Sequence, residues 1–496
     1  MRSADFAAQG PRTPVLVGVG AVTQREEDPA LAREPLALMR EALARATEDC
    51  GSRALVARSD WVRVPRGFWD YADPGRALAE SAGAANARSE LAEIGVLQTT
   101  LLGDSARAIT AREADVIVIV GGEARARATR AQLRGVAAPL TQQVGVTPTR
   151  VLRPKQEVVH PAEVKLGMVL PVNQYAMIDN ALRFADGMTL ARHRDAVATL
   201  WARMSEVAAK NPDAWSRHAV SAADVRDAGP RNRMLAFPYT KLHNSQWNVD
   251  QAAALVMTSL ATARAHGIPE SRWVFPLAAA ESNHMVSLSQ RRPFHRSPGF
   301  AHAGRAALAR AGLAIGDVAK RELYSCFPVA VRLQCRELGI SEDEGLTVTG
   351  GMAFAGGPLN NFVLQAAVRM AQLLRDAPSE VGMLNAVSGF LTKQGVTLWS
   401  AAPPRRAFGF DDVTDVVARE TEQIALAEDA RGAATCVSYT VQFESDRPAR
   451  TLFVCDLPDG RRALAASPDA ALAEHAMANE VCGVKLALAR GIAELA

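Results

Sequence analysis

Apolar and polar positions follow a few recognisable rhythms along this chain. Pro14-Val-Leu-Val-Gly-Val-Gly20 is a short apolar run closed by glycines, and Glu34 to Ala46 follows at helical spacing, so the pattern predicts a strand and then a helix. Leu97, Leu101, Leu102, Ala108 and Ile109 recur at helical spacing before Ala114-Asp-Val-Ile-Val-Ile-Val-Gly-Gly122, which reads as a strand buried on both faces. Phe362, Ala366, Ala367, Met370 and Leu374 repeat that order before Val381-Gly-Met-Leu-Asn-Ala-Val-Ser-Gly389. A helix leading into a buried strand thus occurs twice, about 265 residues apart, and predicts two related α/β halves packed against each other. Between them, Glu123 to Phe237 is rich in Arg, Pro and Trp without a strand pattern and reads as a large inserted loop domain. After Ala401-Ala-Pro-Pro404 the rhythm becomes antiparallel. Cys436-Val-Ser-Tyr-Thr-Val-Gln-Phe443 alternates, Thr451-Leu-Phe-Val-Cys455 is apolar, and Pro458-Asp-Gly460 supplies a hairpin turn before Arg461 to Ala466. This break predicts a β-rich tail that folds separately behind a Pro403-Pro404 linker.

The 496 residues suit about three domains. With 48% hydrophobic and 22% charged residues and a mean hydropathy of −0.02, the chain has a globular composition, and no apolar stretch reaches the ~18–20 residues of a membrane span. Met1 to Gly10 has no apolar core behind its single Arg, so no secretory signal is read there and the expected location is the cytoplasm. Cys50, Cys326, Cys335, Cys436, Cys455 and Cys482 contain no CxxC pair and read as reduced thiols; no metal-ligand cluster emerges. A formal charge of +3 and few aromatics argue against nucleic acid as a partner. The charge is uneven, however. Between Ala124 and Gln156 stand Arg125, Arg127, Arg130, Arg134, Arg150, Arg153 and Lys155 with no acid, a stretch suited to a phosphorylated ligand or, equally, to a solvated face. Other chemical templates fail. Thr23 stands where a dinucleotide fingerprint begun by Gly18-Val-Gly20 needs its third glycine, and Gly103-Asp-Ser-Ala-Arg107 lacks the second glycine of a serine nucleophile elbow.

Four passages, in order, resemble the thiolase superfamily, and more closely the bacterial thiolase-like proteins of the acetyl-CoA acetyltransferase class. They are Glu113-Ala-Asp-Val-Ile-Val-Ile-Val-Gly-Gly-Glu123, Phe237-Pro-Tyr-Thr-Lys-Leu-His-Asn-Ser-Gln-Trp-Asn-Val-Asp-Gln-Ala-Ala-Ala254, Leu323-Tyr-Ser-Cys-Phe-Pro328 and Gly350-Gly-Met-Ala-Phe-Ala-Gly-Gly-Pro-Leu359. The resemblance implies a duplicated thiolase fold, two five-stranded mixed-sheet halves in an αβαβα layering, with an inserted loop domain and a C-terminal OB-like domain. Its boundaries would be 1–122 completed by 236–263 for the N-terminal half, 123–235 for the insertion, 264–402 for the C-terminal half and 403–496 for the tail. It also implies CoA or an acyl-CoA as ligand, no covalently bound cofactor, and a homodimer through the core.

Thiolase chemistry needs a cysteine thiolate, a histidine that activates it, an acid/base cysteine and oxyanion donors. The resemblance places the nucleophile in Ile94-Gly-Val-Leu-Gln-Thr-Thr100, which has no cysteine; the histidine falls on Gly357 in Gly356-Gly-Pro358; the second cysteine's passage, Ala386-Val-Ser-Gly389, offers only Ser388. What survives is Tyr324-Ser-Cys-Phe327, in the place of the family's Asn-Glu-Ala-Phe or His-Asp-Cys-Phe box. On this reading Tyr324 donates to a thioester or ketone oxygen and Cys326 is a nucleophile or acid/base; on the plainer one both are core residues. Arg125, Arg150, Arg153, Asn244, Gly356, Gly357 and Ser388 are the expected substrate contacts. Asn244 and Asp250 equally suit a buried turn network, and His243, His295 and His302 read as structural or exposed. Three functions follow: an acyl-CoA-binding member of the acyltransferase class without ordinary thiolysis, a carbon–carbon lyase of the aldolase kind that uses a tyrosine in this box, and a non-catalytic CoA-thioester binder. The lyase reading lacks a second tyrosine near Gly350 to Phe362.

Overall fold

The computed structural model describes residues 9–156 and 158–495, so the Met1 to Gly10 stretch lies outside the described residues except for Gln9 and Gly10. The apolar runs become strands in two layered sheets. The first contains β1 (Pro14–Gln24), β2 (Trp61–Pro65), β3 (Arg88–Ala92), β4 (Val116–Ala124), β5 (Arg150–Leu152) and, after the hairpin β6 (Met234–Ala236) and β7 (Tyr239–Thr240), β8 (Asp250–Ser259). Its spatial order is β1-β8-β4-β2-β3-β5. The second contains β9 (Phe275–Ser282), β10 (Val318–Glu322), β11 (Val381–Ser388), β12 (Lys393–Ser400) and β13 (Phe410–Asp412) in the order β10-β11-β12-β9-β13.

The duplication is visible in the wiring. β2 runs parallel to β4, β4 antiparallel to β8 and β8 antiparallel to β1. β10, β11, β12 and β9 repeat those directions in the same order. The two helices picked out by their spacing, Gln98–Thr110 and Phe362–Asp376, form the central layer and touch both sheets. A helix apolar on several faces can only sit inside, and Leu101, Leu102, Ala106, Ala108 and Ile109 are all buried. Close approach is built in at Gly395, where a Cβ would lie 2.1 Å from Thr99 Oγ1. Helices Pro35–Cys50 and Pro298–Ala311 cover the outer faces.

Four strands match in each half, and both sheets carry additions beyond them, β3 and β5 in the first and β13 in the second. β5, from the insertion, pairs with the β3 edge of the first sheet. β13, beyond the predicted boundary at 402, joins the second sheet beside β9. The insertion is largely helical rather than loop, with long helices at Pro171–Ala185 and Leu190–Lys210. Tyr175, Ile178 and Leu182, and then Val197, Leu200, Trp201, Met204 and Ala208, give those helices buried stripes at helical spacing.

The tail closes into a five-stranded barrel of β14 (Arg431–Glu444), β15 (Arg447–Asp456), β16 (Arg462–Ser467), β17 (Lys485–Ala489) and β18 (Ile492–Leu495), with β6 added to the side of β14. The barrel packs closely against the rest of the chain. Leu452, Val454 and Ala466 belong to the same apolar cluster as the central helices. The fully buried Arg462 guanidinium donates to the carbonyls of Arg291 and Arg292. Asn180 Nδ2 donates to Tyr439 O at 2.9 Å, and Ser438 Oγ to Met177 O at 2.6 Å. Backbone carbonyls are common acceptors at such seams because each must be satisfied once water is excluded.

Candidate active site

β10 delivers the Tyr324–Phe327 box to the junction of the halves, and a buried carboxylate fixes it there. Glu322, at the end of β10, accepts from the N–H groups of Val348 and Thr349, both at 2.8 Å, and from the hydroxyls of Thr347 and Thr349. That ties the box to the Gly350-Gly351 loop. Burial still pushes the Glu322 carboxyl up to about 7. Gln334 holds Tyr324 from both sides, accepting from its N–H at 3.0 Å and donating to its C=O at 2.8 Å.

The Tyr324 ring is half-buried, edge-on to Phe362 with centroids 6.0 Å apart, and its hydroxyl has no hydrogen-bond partner among the described residues. Burial and the neighbouring Cys326 push this phenol well up, so it is a proton-bearing donor. Cys326 is buried, and burial pushes its thiol up to about 12 despite the neighbouring Tyr175 hydroxyl, which favours the thiolate. A thiol in that state is a poor nucleophile. Tyr175 arrives on helix Pro171–Ala185 and stacks on Phe327, centroids 4.5 Å apart. The structure therefore supplies a second tyrosine, from the insertion rather than from Gly350 to Phe362.

The expected places of the nucleophile, at Gly95 or Val96, and of the histidine, at Gly357, lie in closely packed loops. Gly95 has φ 102°, and a Cβ there would lie 3.1 Å from Pro154 of the insertion. A Cβ on Gly357 would meet Met352 Cε and Ser245 Cβ, each at 3.2 Å. Gly356, with φ 103°, lines a cavity of about 10 Å³ with Asn211, Asp213 and Gln365. Ser388 ends β11 directly opposite Lys393 on β12. Lys393 is 5% exposed and its ammonium donates to Gly95 O, clasping the loop where the nucleophile is expected. Glu281, also 5% exposed, accepts from Thr100 Oγ1 at 2.8 Å and Asn283 Nδ2 at 2.8 Å. Burial pushes Glu281 up to about 7 and lowers Lys393. Sequence reasoning missed Tyr175, Lys393 and Glu281. The available signal was a lysine and a glutamate bounding otherwise apolar strands.

The expected cations are not gathered on one ligand. Arg150 is bound to Glu90 and Asp104 and lies over the Trp61 ring, so its charge is already answered. Arg153 is exposed. Arg125 lies over the half-exposed rings of Phe68 and Trp247, at 5.8 and 5.1 Å from their centroids. Asn244 donates to Thr240 O at 2.7 Å, and Asp250 accepts from Arg127 N at 3.0 Å, which is the turn-and-cap arrangement. His243 is buried, held low at about 3 by burial; His302 pairs with Glu420.

Residues 412–490 match the family described as the thiolase-like protein type 1 additional C-terminal domain. Over 98% of this chain and 100% of the other, the structure is similar to a monomeric SCP2-thiolase-like protein type 1 from Mycobacterium smegmatis, with 28% identity and a TM-score of 0.84. The Ltp2–ChsH2(DUF35) aldolase matches 79% of the chain over 99% of its own at 18% identity and TM-score 0.60. Human mitochondrial 3-ketoacyl-CoA thiolase matches 79% over 100% of its own at 15% identity and TM-score 0.57. No curated protein sequence matches. With the duplicated sheets, the paired central helices and the type 1 tail all in place, the chain belongs to the thiolase superfamily.

Proposed function

We propose that the protein binds an acyl-CoA as a member of the acyltransferase class by descent, without catalysing cysteine-based thiolysis. The observation that supports this reading is close packing at the expected positions: Pro154 against Gly95, which with Val96 is a candidate place of the nucleophile, and Met352 and Ser245 against Gly357. Neither glycine accepts the missing side chain without a neighbour moving, and the nearby Cys326 is held as a thiol. Purified protein should therefore give negligible thiolysis of acetoacetyl-CoA, because losing an activated nucleophile removes several orders of magnitude in rate. The assay is run beside Cys326→Ser, with intact-mass analysis for an acyl-enzyme. Robust turnover with an acyl group on Cys326 would overturn the reading. Calorimetry with CoA tests the binding half.

A second reading, a carbon–carbon lyase acting on β-hydroxyacyl thioesters, is favoured by Tyr175 lying against Cys326 beside Tyr324. Two phenols, both proton-bearing, can polarise a carbonyl and take up or return a proton during cleavage. Retro-aldol turnover that falls at least about a hundredfold in both Tyr324→Phe and Tyr175→Phe would select this reading.

A further inference from the structure

Lys393 and Glu281 are buried groups of opposite charge on neighbouring strands, close enough to influence each other electrostatically but not in direct contact, and neither reading uses them. Lys393 and Ser388 oppose each other across the β11–β12 hairpin, so their side chains leave the same face of the second sheet. Gly395, two residues on, meets Thr99 of the central helix, so this is the face turned toward the first sheet. Glu281 stands opposite Gly395 on β9 and reaches Thr100 of the same helix. The pair thus sits at the helix N-terminal end, between the halves. An ammonium carries three donors, and only the one to Gly95 O finds an acceptor among the described residues. A buried amine with idle donors is costly unless it is neutral or an incoming oxygen meets it. The other charge facing the pair is Asp412 of β13, beside Glu281. Val96, Thr100, Asn283 and Ser388 around it are half-buried.

We propose that Lys393 is an amine nucleophile for the carbonyl of a ketone or aldehyde, with Glu281 as the base that receives its proton. The substrate class is a small β-keto acid or the ketone of a β-ketoacyl thioester. The ammonium passes one proton to Glu281 through an intervening water, and the freed lone pair adds to the carbonyl carbon while the C=O π pair moves to oxygen. Glu281 returns that proton to the oxygen, takes a second proton from the nitrogen and delivers it to the hydroxyl, and the nitrogen lone pair forms the C=N bond as the C–O bond breaks and water leaves, so that ammonium and ketone become iminium and water with no oxidant or reductant. Burial moves the two pKa values toward each other, which eases the first transfer. This inference stands apart from the acyl-CoA reading.

The test is reductive trapping of the full-length protein with acetoacetate and sodium borohydride, followed by intact mass and peptide mapping. Acetoacetate lacks CoA, so the outcome is separable from any failure to bind acyl-CoA. The expected result is a borohydride-dependent adduct on the peptide holding Lys393, absent from Lys393→Met and formed about tenfold more slowly in Glu281→Gln. Absence of an adduct in the wild type, or mapping to another lysine, overturns the proposal whether or not the variants fold. Persistence of the adduct in Lys393→Met overturns it as well.

Discussion

Glu123, Glu281 and Glu322 are buried carboxyl groups, each pushed up to about 7 chiefly by the loss of water around it. Their usual value is near 4.5, so between that value and about 7 the folded chain binds protons that the unfolded chain has released. These three carboxyls therefore lower stability as pH rises through that window, by up to about 3 kcal/mol per group, while the buried His243, held at about 3, opposes them below its ordinary 6.5, where the unfolded chain takes up a proton that the folded chain does not, so the fall is steepest above about 6.5. Asp179 works in the opposite sense: His193 and Arg332 hold it at about 2, so it is ionised throughout that window and adds no slope there. Thermal melts should give a higher Tm near pH 5 than near pH 8, and Glu322→Gln should shrink the difference. A Tm that is level or rises across the window would contradict these assignments. The same carboxyl at 322 shows why a site can be rigid without an obvious motif: its bonds run to Thr347, Val348 and Thr349, far along the chain from the box it steadies.

Among elements, helix Gln98–Thr110 depends on the absence of a side chain at Gly395. Gly395→Ala would drive a methyl into Thr99, and overpacking of that kind costs about 1–3 kcal/mol, readable as a lower urea midpoint at unchanged slope. The two apolar strand runs and the helices before them were legible because burial on both faces leaves uninterrupted hydrophobic stretches. The helices of the insertion were less so. Polar residues such as Asn173, Gln174, Asp179, Asn180 and Arg183 are buried there, and they blur the apolar stripe on which periodicity relies. β5 is three residues long and has no periodicity to read. The site divided along the same line. Tyr324 and Cys326 lie within one family box, whereas Tyr175, Lys393 and Glu281 come from separate elements and meet only through tertiary packing.

For the whole molecule, the barrel is fastened by a buried cation. Arg462 donates to backbone carbonyls at Arg291 and Arg292, pairs with Asp456 and lies 5.0 Å from the Phe294 ring centroid. Removing it leaves those carbonyls and Asp456 without their donor, at about 3–5 kcal/mol. Limited proteolysis of the wild type should accordingly release no stable tail fragment, while Arg462→Met should become susceptible between Ser400 and Ala430. Ready release of an intact barrel from the wild type would restore the free-module picture. β5 closes a different boundary. By pairing with β3 it leaves the first sheet ending in three residues that include Arg150, a short and charged edge that offers a second copy almost no ladder to extend. A chain that occupies its own edge cannot borrow a residue across it. A second copy would gain little from extending this edge, and any hold it took on the protein would have to come from side-chain packing elsewhere.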